Sequence, residues 1–151
     1  MSAESQLKSR ITEDMKAAMR AGDKARLGTI RMVLAAIKQV EVDTREALDD
    51  AGVLAVLDKM VKHRRESIEQ FRKAGRDDLA DAEQDELEVI GTYLPEPLSE
   101  EEIGQLIDSA IAETGAASVR DMGKVMGLLK PRIQGRADMG EVSKRIKARL
   151  A

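Results

Sequence analysis

The chain has 151 residues, of which 35% are charged, and its formal net charge at pH 7 is −3. This length is enough for one domain or two small ones, each with a buried core. The sequence contains no cysteine, which excludes disulfide bonds, thiolate metal sites and a cysteine nucleophile. Only one tyrosine and one phenylalanine are present, so the core must consist of aliphatic side chains and methionine.

The composition and the first residues predict a cytoplasmic protein. The opening segment MSAESQLKSRITEDMK has no apolar run of the kind that a secretory signal contains. Its acidic residues Glu4, Glu13 and Asp14 also argue against a transit peptide, because such peptides are poor in acids. No stretch approaches the ~20 apolar residues of a membrane span, so no membrane partner is expected.

The charge is distributed in three blocks of alternating sign. Residues 1–76 carry a net charge of +4, residues 77–113 carry −13 with no base at all, and residues 114–151 carry +6. Blocks of this size indicate contacts with partners or between segments of the chain. Two explanations stay open: the acidic block docks on one of its basic neighbours, or the chain meets an external polyanion.

Seven helices and no strand are predicted, because every apolar pattern repeats with a helical period. The first helix has an apolar residue at every fourth position and ends at Gly22, and Asp23 can cap the second. The third helix begins at a cap on Asp49 or Asp50 and ends at Gly75. The second helix carries the apolar stripe Leu27, Ile30, Leu34 and Ile37.

The best domain boundary follows the fourth, acidic helix. Two prolines in the segment YLPEPL disfavour helix, and Ser99 with Glu102 then forms a capping box for the fifth helix. The sequence therefore predicts an all-α protein with an N-terminal helical subdomain at residues 1–94. A smaller three-helix subdomain is predicted at residues 95–151.

The C-terminal stretch DMGKVMGLLKPRIQGRAD combines helical spacing with residues that disfavour helix. Pro131 is predicted to end or kink the sixth helix near Lys130, and Gly135 to take a left-handed turn. Gly123 and Gly127 lie inside the helix at a cost of ~1 kcal/mol each relative to alanine. We expect such glycines to permit close approach, either by another helix or by a ligand.

Further capping boxes are suggested by Ser118 with Asp121, and by Asp138 with Glu141, before the last two helices.

Arg31 lies between apolar positions of the second helix. It is therefore predicted to form an ion pair with the acidic helix, the alternative being an exposed anion site.

No catalytic residue, metal site or cofactor is predicted from the residues. A glutaminase needs an activated nucleophile, and none of the serines lies in a nucleophile elbow. No GxxxxGK[ST] phosphate loop is present. His63 with Glu66 is half of a metal site without an evident second half.

Four separated segments resemble the GatB/YqeY family. They are RLGTIRMVLAAIKQVEVD at 26–43, RRESIEQFRKAGRDDLADAE at 64–83, YLPEPLSEEEI, and MGKVMGLLKPRIQGRAD followed by an amphipathic helix. The family includes free-standing YqeY proteins and the tail of the B subunit of glutamine-dependent aminoacyl-tRNA amidotransferase. The resemblance implies an all-helical protein of two subdomains.

For function, the resemblance implies a module that helps to hold tRNA. The family is also associated with carbon–nitrogen ligase activity with glutamine as amide donor, but the catalytic domain of the amidotransferase is absent here. The expected partners are therefore tRNA or another folded RNA, and an amidotransferase or tRNA synthetase. Two alternatives stay open, a helical protein–protein interaction adaptor without RNA binding and an enzyme in its own right.

The basic C-terminal block is where RNA is expected to bind. Lysine and arginine neutralise phosphates and release counterions, which gives salt-sensitive binding with little reading of base sequence. The scarcity of aromatic residues argues against a stacking platform for single strands and favours recognition of RNA shape. The candidate contacts are Lys124, Lys130, Arg132, Arg136, Lys144, Arg145, Lys147 and Arg149.

Overall fold

The computed structural model describes residues 5–151, and within them the predicted all-α fold is confirmed. Seven α-helices and one short 3₁₀ turn, at Val119–Asp121, account for the regular structure of these residues, which include no strand. The helices are α1 (Gln6–Ala21), α2 (Lys24–Thr44), α3 (Asp50–Lys73), α4 (Asp77–Gly91), α5 (Glu100–Thr114), α6 (Met122–Ile133) and α7 (Met139–Leu150).

The chain divides into two compact units, each with its own core. The N-terminal unit ends at Leu94 and contains α1 to α4, and the C-terminal unit, Pro95–Ala151, contains α5 to α7. In the N-terminal unit α1 packs along α2 and α3 packs along α4. Its fully buried side chains are Ile11, Ile30, Val33, Ile37, Val53, Leu57, Ala80 and Ile90.

The C-terminal unit buries one apolar stripe from each of its three helices. Each fully buried aliphatic side chain contributes roughly 1.5–3 kcal/mol relative to exposure, so this small core depends on a few residues. The side chains with relative exposure of 1% or less are Ile107, Ala110, Val125, Leu129, Ile133, Val142 and Ile146.

The predicted helix ends are largely confirmed. Gly22 is the left-handed C-cap of α1, and the Asp23 carboxylate accepts from a backbone N–H at the start of α2. Asp49, one of the two residues considered, caps α3 in the same way. Ser99 and Glu102 form both bonds of the capping box that begins α5.

Neither of the other two suggested capping boxes forms among the described contacts. The Ser118 side chain makes no capping bond, and instead the Asp121 carboxylate accepts from the Ala117 N–H at 2.9 Å. At α7 the Asp138 carboxylate accepts from the Gly140 N–H at 2.8 Å, which caps the helix without a reciprocal bond from Glu141 among the described contacts.

Pro131 was predicted to end or kink α6 near Lys130, and the first of these alternatives is wrong, because the helix continues to Ile133. The kink stays a prediction. A proline removes its own backbone donor and crowds the carbonyl four residues before it, but it leaves the donors that follow it free to bond. The Gln134 N–H still donates to the Lys130 carbonyl at 3.0 Å, so the hydrogen bonds resume beyond the ring. The left-handed turn at Gly135 is confirmed, with φ of 78°.

The ion pair predicted between Arg31 and the acidic helix is not among the contacts of the described residues, and another arginine makes it instead. Arg31 is exposed, whereas Arg64 of α3 is only 6% exposed. The Arg64 Nε lies 3.1 Å from Glu86 Oε2 and 3.9 Å from Glu83 Oε2, both on the acidic helix α4. Arg31 is turned outward because the buried stripe of α2 is centred on Ile30 and Val33.

Candidate nucleic-acid interface

Several of the candidate RNA-binding arginines are engaged with acids of their own unit. Their partners all lie on α5, within the acidic block, and the pairs are largely exposed. Exposed pairs contribute only about 0–1 kcal/mol each to stability, but they neutralise charge locally. The pairs are Arg132 with Glu113 at 3.5 Å, Arg145 with Glu100 at 2.9 Å, and Arg149 with Asp108.

The N-terminal part of the acidic block is paired in the same manner. Arg64 binds Glu86 and Glu83 as described, and Arg72 contacts Asp77 at 3.5 Å and Asp81 at 3.2 Å. Together with the pairs on α5, these contacts support the first explanation of the charge pattern. Within each unit, part of the acidic block docks on basic residues of that unit.

Arg136 has a positioning role within the C-terminal unit. Its Nε donates to the Glu96 carbonyl at 3.0 Å, and its own carbonyl accepts from the Leu98 N–H at 2.8 Å. The left-handed turn at Gly135 brings the chain into position for these bonds. The residue thus ties the segment before α5 to the turn after α6, and its guanidinium is not fully exposed.

Unlike the arginines that pair with α5, the lysines of α6 and α7 have no acidic partner on another helix among the described contacts. Lys124, Lys130 and Lys147 are exposed, and within residues 5–151 none of them has a carboxylate within 4 Å. Lys144 makes an exposed contact of 3.6 Å with Glu141 on the same helix. We call Lys124, Lys130, Lys144 and Lys147 the outer lysines.

Helix geometry places two of the outer lysines away from α5. Lys130 is two residues from Arg132, and Lys147 is two residues from both Arg145 and Arg149. Two residues correspond to about 200° around a helix, so each lysine lies opposite the arginine that reaches α5. Lys130 and Lys147 therefore lie on the sides of α6 and α7 opposite to those from which the arginines reach α5.

Gly123 and Gly127 lie on the solvent-facing surface of α6. A Cβ atom at either position would have no heavy atom within 4 Å beyond its own helical turn. Close helix packing within the described chain is therefore not the reason for either glycine. Gly127 is three residues before Lys130, so bare backbone is exposed next to that lysine, where a ligand could approach it.

Local hydrogen bonds keep two acids of this unit ionised. The pKa of Asp121 is lowered, chiefly by the hydrogen bond from the Ala117 N–H, and the charge of Lys124 contributes to the same shift. The pKa of Glu102 is lowered by its hydrogen bond to the Ser99 backbone N–H, with a smaller contribution from Arg136. Lys124 therefore has some compensating negative charge nearby, which Lys130 and Lys147 lack among the described contacts.

No group of three or more metal-ligating side chains is arranged to hold an ion among the residues that the structure describes. In the same residues, no helix is long and apolar enough to cross a membrane.

The fold defines the class: a small all-helical protein of two compact units, the second of which carries exposed lysines on α6 and α7. The chain belongs to the YqeY-like family. The family described as "Yqey-like protein" matches residues 8–150, nearly the whole chain.

The chain is also similar to fungal proteins named "Altered inheritance of mitochondria protein 41, mitochondrial". The protein from Pyrenophora tritici-repentis is 37% identical over 140 residues, which cover 91% of this chain and 77% of that protein. The one from Eremothecium gossypii is 44% identical over 85 residues, covering 56% of this chain and 46% of that protein. The one from Lachancea thermotolerans is 37% identical over 106 residues, covering 68% and 57%. For these last two, the match spans about half of the relative's length.

These names contradict the prediction of a cytoplasmic protein, because the relatives are named as mitochondrial proteins. The prediction rested on the acids of the opening segment and on the lack of cysteine, and neither feature fixes the compartment. A polar, cysteine-free surface suits any reducing aqueous compartment, so it does not distinguish the cytoplasm from the mitochondrial interior.

Proposed function

We propose that the chain is an RNA-binding accessory module whose outer lysines contact the phosphate backbone of a folded RNA such as tRNA. The observation that carries the proposal is that the arginines and the lysines of α6 and α7 differ in whether they form ion pairs. The arginines Arg132, Arg145 and Arg149 are paired with acids of α5, whereas Lys130 and Lys147 are exposed and have no acidic partner in the described chain.

The arrangement favours contact with the backbone of RNA over reading of bases. A lysine ammonium is a strongly hydrated point charge on a flexible stem, which suits phosphates more than base edges. The lone tyrosine, Tyr93, is buried in the N-terminal unit and offers no stacking surface. The exposed backbone at Gly127 allows a sugar–phosphate strand to approach α6 closely beside Lys130.

The resemblance to the amidotransferase tail supports the same proposal, since that tail helps to hold tRNA. The role requires no catalytic group in this chain. Any carbon–nitrogen bond formation would take place on a partner, an amidotransferase or a tRNA synthetase, to which this module would present the RNA.

The test compares two variants with the same change in charge. One replaces the four outer lysines with alanine, and the control replaces four exposed lysines of the N-terminal unit, Lys16, Lys59, Lys62 and Lys73. The affinity of the full-length chain for a labelled tRNA transcript is measured at low salt by fluorescence anisotropy. We expect the outer-lysine variant to lose about tenfold or more in affinity and the control to lose much less.

Equal losses in the two variants would show that binding follows net charge and not this surface, and would refute the proposed interface. Absence of salt-sensitive tRNA binding by the unaltered chain would refute RNA binding itself. Far-ultraviolet circular dichroism of each variant confirms that the helices are intact.

A further inference from the structure

The outward face of α2 carries a stripe of small and apolar residues, interrupted by Gln39, that the N-terminal core does not use. Its positions follow one another at spacings of three and four residues, and every one of them is exposed. Met32 is 42% exposed and Val42 is 58% exposed, although both side chains are large and apolar. We call this set the α2 seam: Ala25, Gly28, Met32, Ala35, Gln39 and Val42.

The spacing of the α2 seam is the spacing at which a second helix packs. Alternation of three and four residues keeps a stripe facing one neighbouring helix along its whole length. From Ala25 to Val42 the seam extends over about 25 Å of helix. Its small residues allow a partner's backbone to approach closely, and a Cβ atom at Gly28 would meet nothing within 4 Å.

One flank of the seam is uniformly basic. Lys24, Arg31, Lys38 and Arg45 recur at intervals of seven residues, and all four are exposed. No ion pair within 4 Å joins any of them to a carboxylate in the described part of the chain. We call these four residues the basic flank.

Arg45 occupies a backbone conformation that favours glycine. It is the C-cap of α2, with φ of 58°, and it is the one non-glycine residue with positive φ in the described chain. A left-handed conformation costs a non-glycine residue roughly 1–2 kcal/mol. Arg45 thus places the last cation of the basic flank at the C-terminal end of α2.

We propose that the α2 seam docks an amphipathic helix of a partner protein whose residues facing the basic flank are acidic. A helix laid on the seam would cover Met32 and Val42, and its acids would pair with the four cations. This surface lies in the N-terminal unit, and it is independent of the outer lysines and of the proposed RNA contact.

A second copy of the chain does not fit the seam. In an antiparallel pair of α2 helices the two basic flanks would face each other, and like charges would repel. In a parallel pair the basic flank would face Thr29, Ala36 and Asp43, of which Thr29 is buried and only Asp43 is acidic. Charge complementarity therefore selects an acidic partner over self-association.

RNA does not fit the seam either. Phosphates would pair with the basic flank, but they would leave Met32 and Val42 exposed or dehydrated without an apolar contact. An acidic helix satisfies both features at once.

The test uses two synthetic helical peptides, each about as long as α2, as probes. Both carry leucine and alanine at the same alternating spacing; one has glutamate at the flanking positions and the other has lysine. Binding to the full-length chain is followed by anisotropy of the labelled peptides. We expect the acidic peptide to bind saturably and about tenfold more tightly than the basic one, because several exposed ion pairs form together.

Three variants locate the site. Met32→Glu with Val42→Glu should abolish binding of the acidic peptide, whereas the control Leu79→Glu, on an exposed apolar side chain of α4, should not. Lys24→Glu with Arg31→Glu and Lys38→Glu should reverse the preference between the two peptides. Circular dichroism verifies that each variant keeps its helices.

Several outcomes would overturn the proposal. They are absence of saturable binding by the acidic peptide, equal binding of the two peptides, and insensitivity to the flank reversal. A dimer in sedimentation that Met32→Glu breaks would assign the seam to a second copy. Loss of tRNA binding on flank reversal, with peptide binding unchanged, would assign the flank to RNA.

Discussion

Gly127→Ala is expected to make the protein more stable. Gly127 lies in the middle of α6, is exposed, and does not have positive φ. Alanine is better than glycine inside a helix by about 1 kcal/mol, and the added Cβ meets no heavy atom within 4 Å beyond its own turn. The gain is therefore not offset by a clash.

The size of the effect on melting depends on what unfolds together. Unfolding entropy is about 2.1 cal/mol/K per residue, so 1 kcal/mol corresponds to about 8 °C if the C-terminal unit, Pro95–Ala151, melts on its own. If the whole chain melts as one, the same change raises the melting temperature by about 3 °C. The measurement is thermal and urea unfolding of the full-length chain, followed by far-ultraviolet circular dichroism.

Two further glycines serve as controls in the same unit. At Gly104 an added Cβ would lie 3.3 Å from Arg145 Nη2, so Gly104→Ala should gain less because that guanidinium must move. At Gly115, with φ of 65°, alanine should destabilise by about 1 kcal/mol. A loss of stability in Gly127→Ala would refute the reasoning, because it would mean that a neighbour covers this position.

Further predictions concern three buried or capping contacts. Arg64→Ala should lower the free energy of unfolding, measured in urea, by about 2–3 kcal/mol, because it removes the buried partner of two α4 glutamates. The control Arg31→Ala, at an exposed position, should change the same free energy by less than about 0.5 kcal/mol. Tyr93→Phe should cost about 1 kcal/mol, since the Tyr93 hydroxyl donates to a carboxylate at 2.6 Å. Burial, followed by that bond, raises the pKa of Tyr93 to about 12. The folded state therefore holds this proton more tightly, and the contribution to stability is complete below about pH 10 and is lost as pH rises through 12. The variant should show a smaller loss over that range in urea titrations. Ser99→Ala should cost about 1 kcal/mol, because the Glu102 N–H loses the Ser99 hydroxyl that caps it. The pKa of Glu102 should rise only in part, as measured by NMR titration, because the backbone N–H of residue 99, the main cause of the lowered pKa, remains.

Much of the fold could be predicted because its signals are local. Helix period, glycine C-caps and the Ser99–Glu102 box each depend on residues within one or two turns, and the structure contains them. Pro131 did not show where α6 ends, because the loss of one donor does not decide whether a helix continues. The next hydrogen bond, from the Gln134 N–H to the Lys130 carbonyl, carries the helix past the proline. Such a bond depends on the conformation of the whole turn.

The site was harder to predict because charge pairing depends on which sides of the helices meet. The basic block appeared uniform in sequence, but acids of α5 pair with three of its arginines, Arg132, Arg145 and Arg149, and not with Lys130 or Lys147. The burial of Arg64 could have been predicted, since Arg64 follows the buried residues Leu57 and Val61 at helical spacing. Its position in the lysine, histidine and arginine run at 62–65 made it resemble a solvated surface.

The salt dependence of tRNA binding tests the central proposal most directly. The affinity of the unaltered chain is measured over a range of salt concentrations, and the same is done for the variant with all four outer lysines replaced by alanine. If the outer lysines bind phosphates, the slope of log affinity against log salt should become shallower by about 0.7–0.9 for each phosphate that the variant no longer neutralises. An unchanged slope in a variant that keeps its helices, or no salt-sensitive binding by the unaltered chain, would contradict an RNA-binding role for this surface.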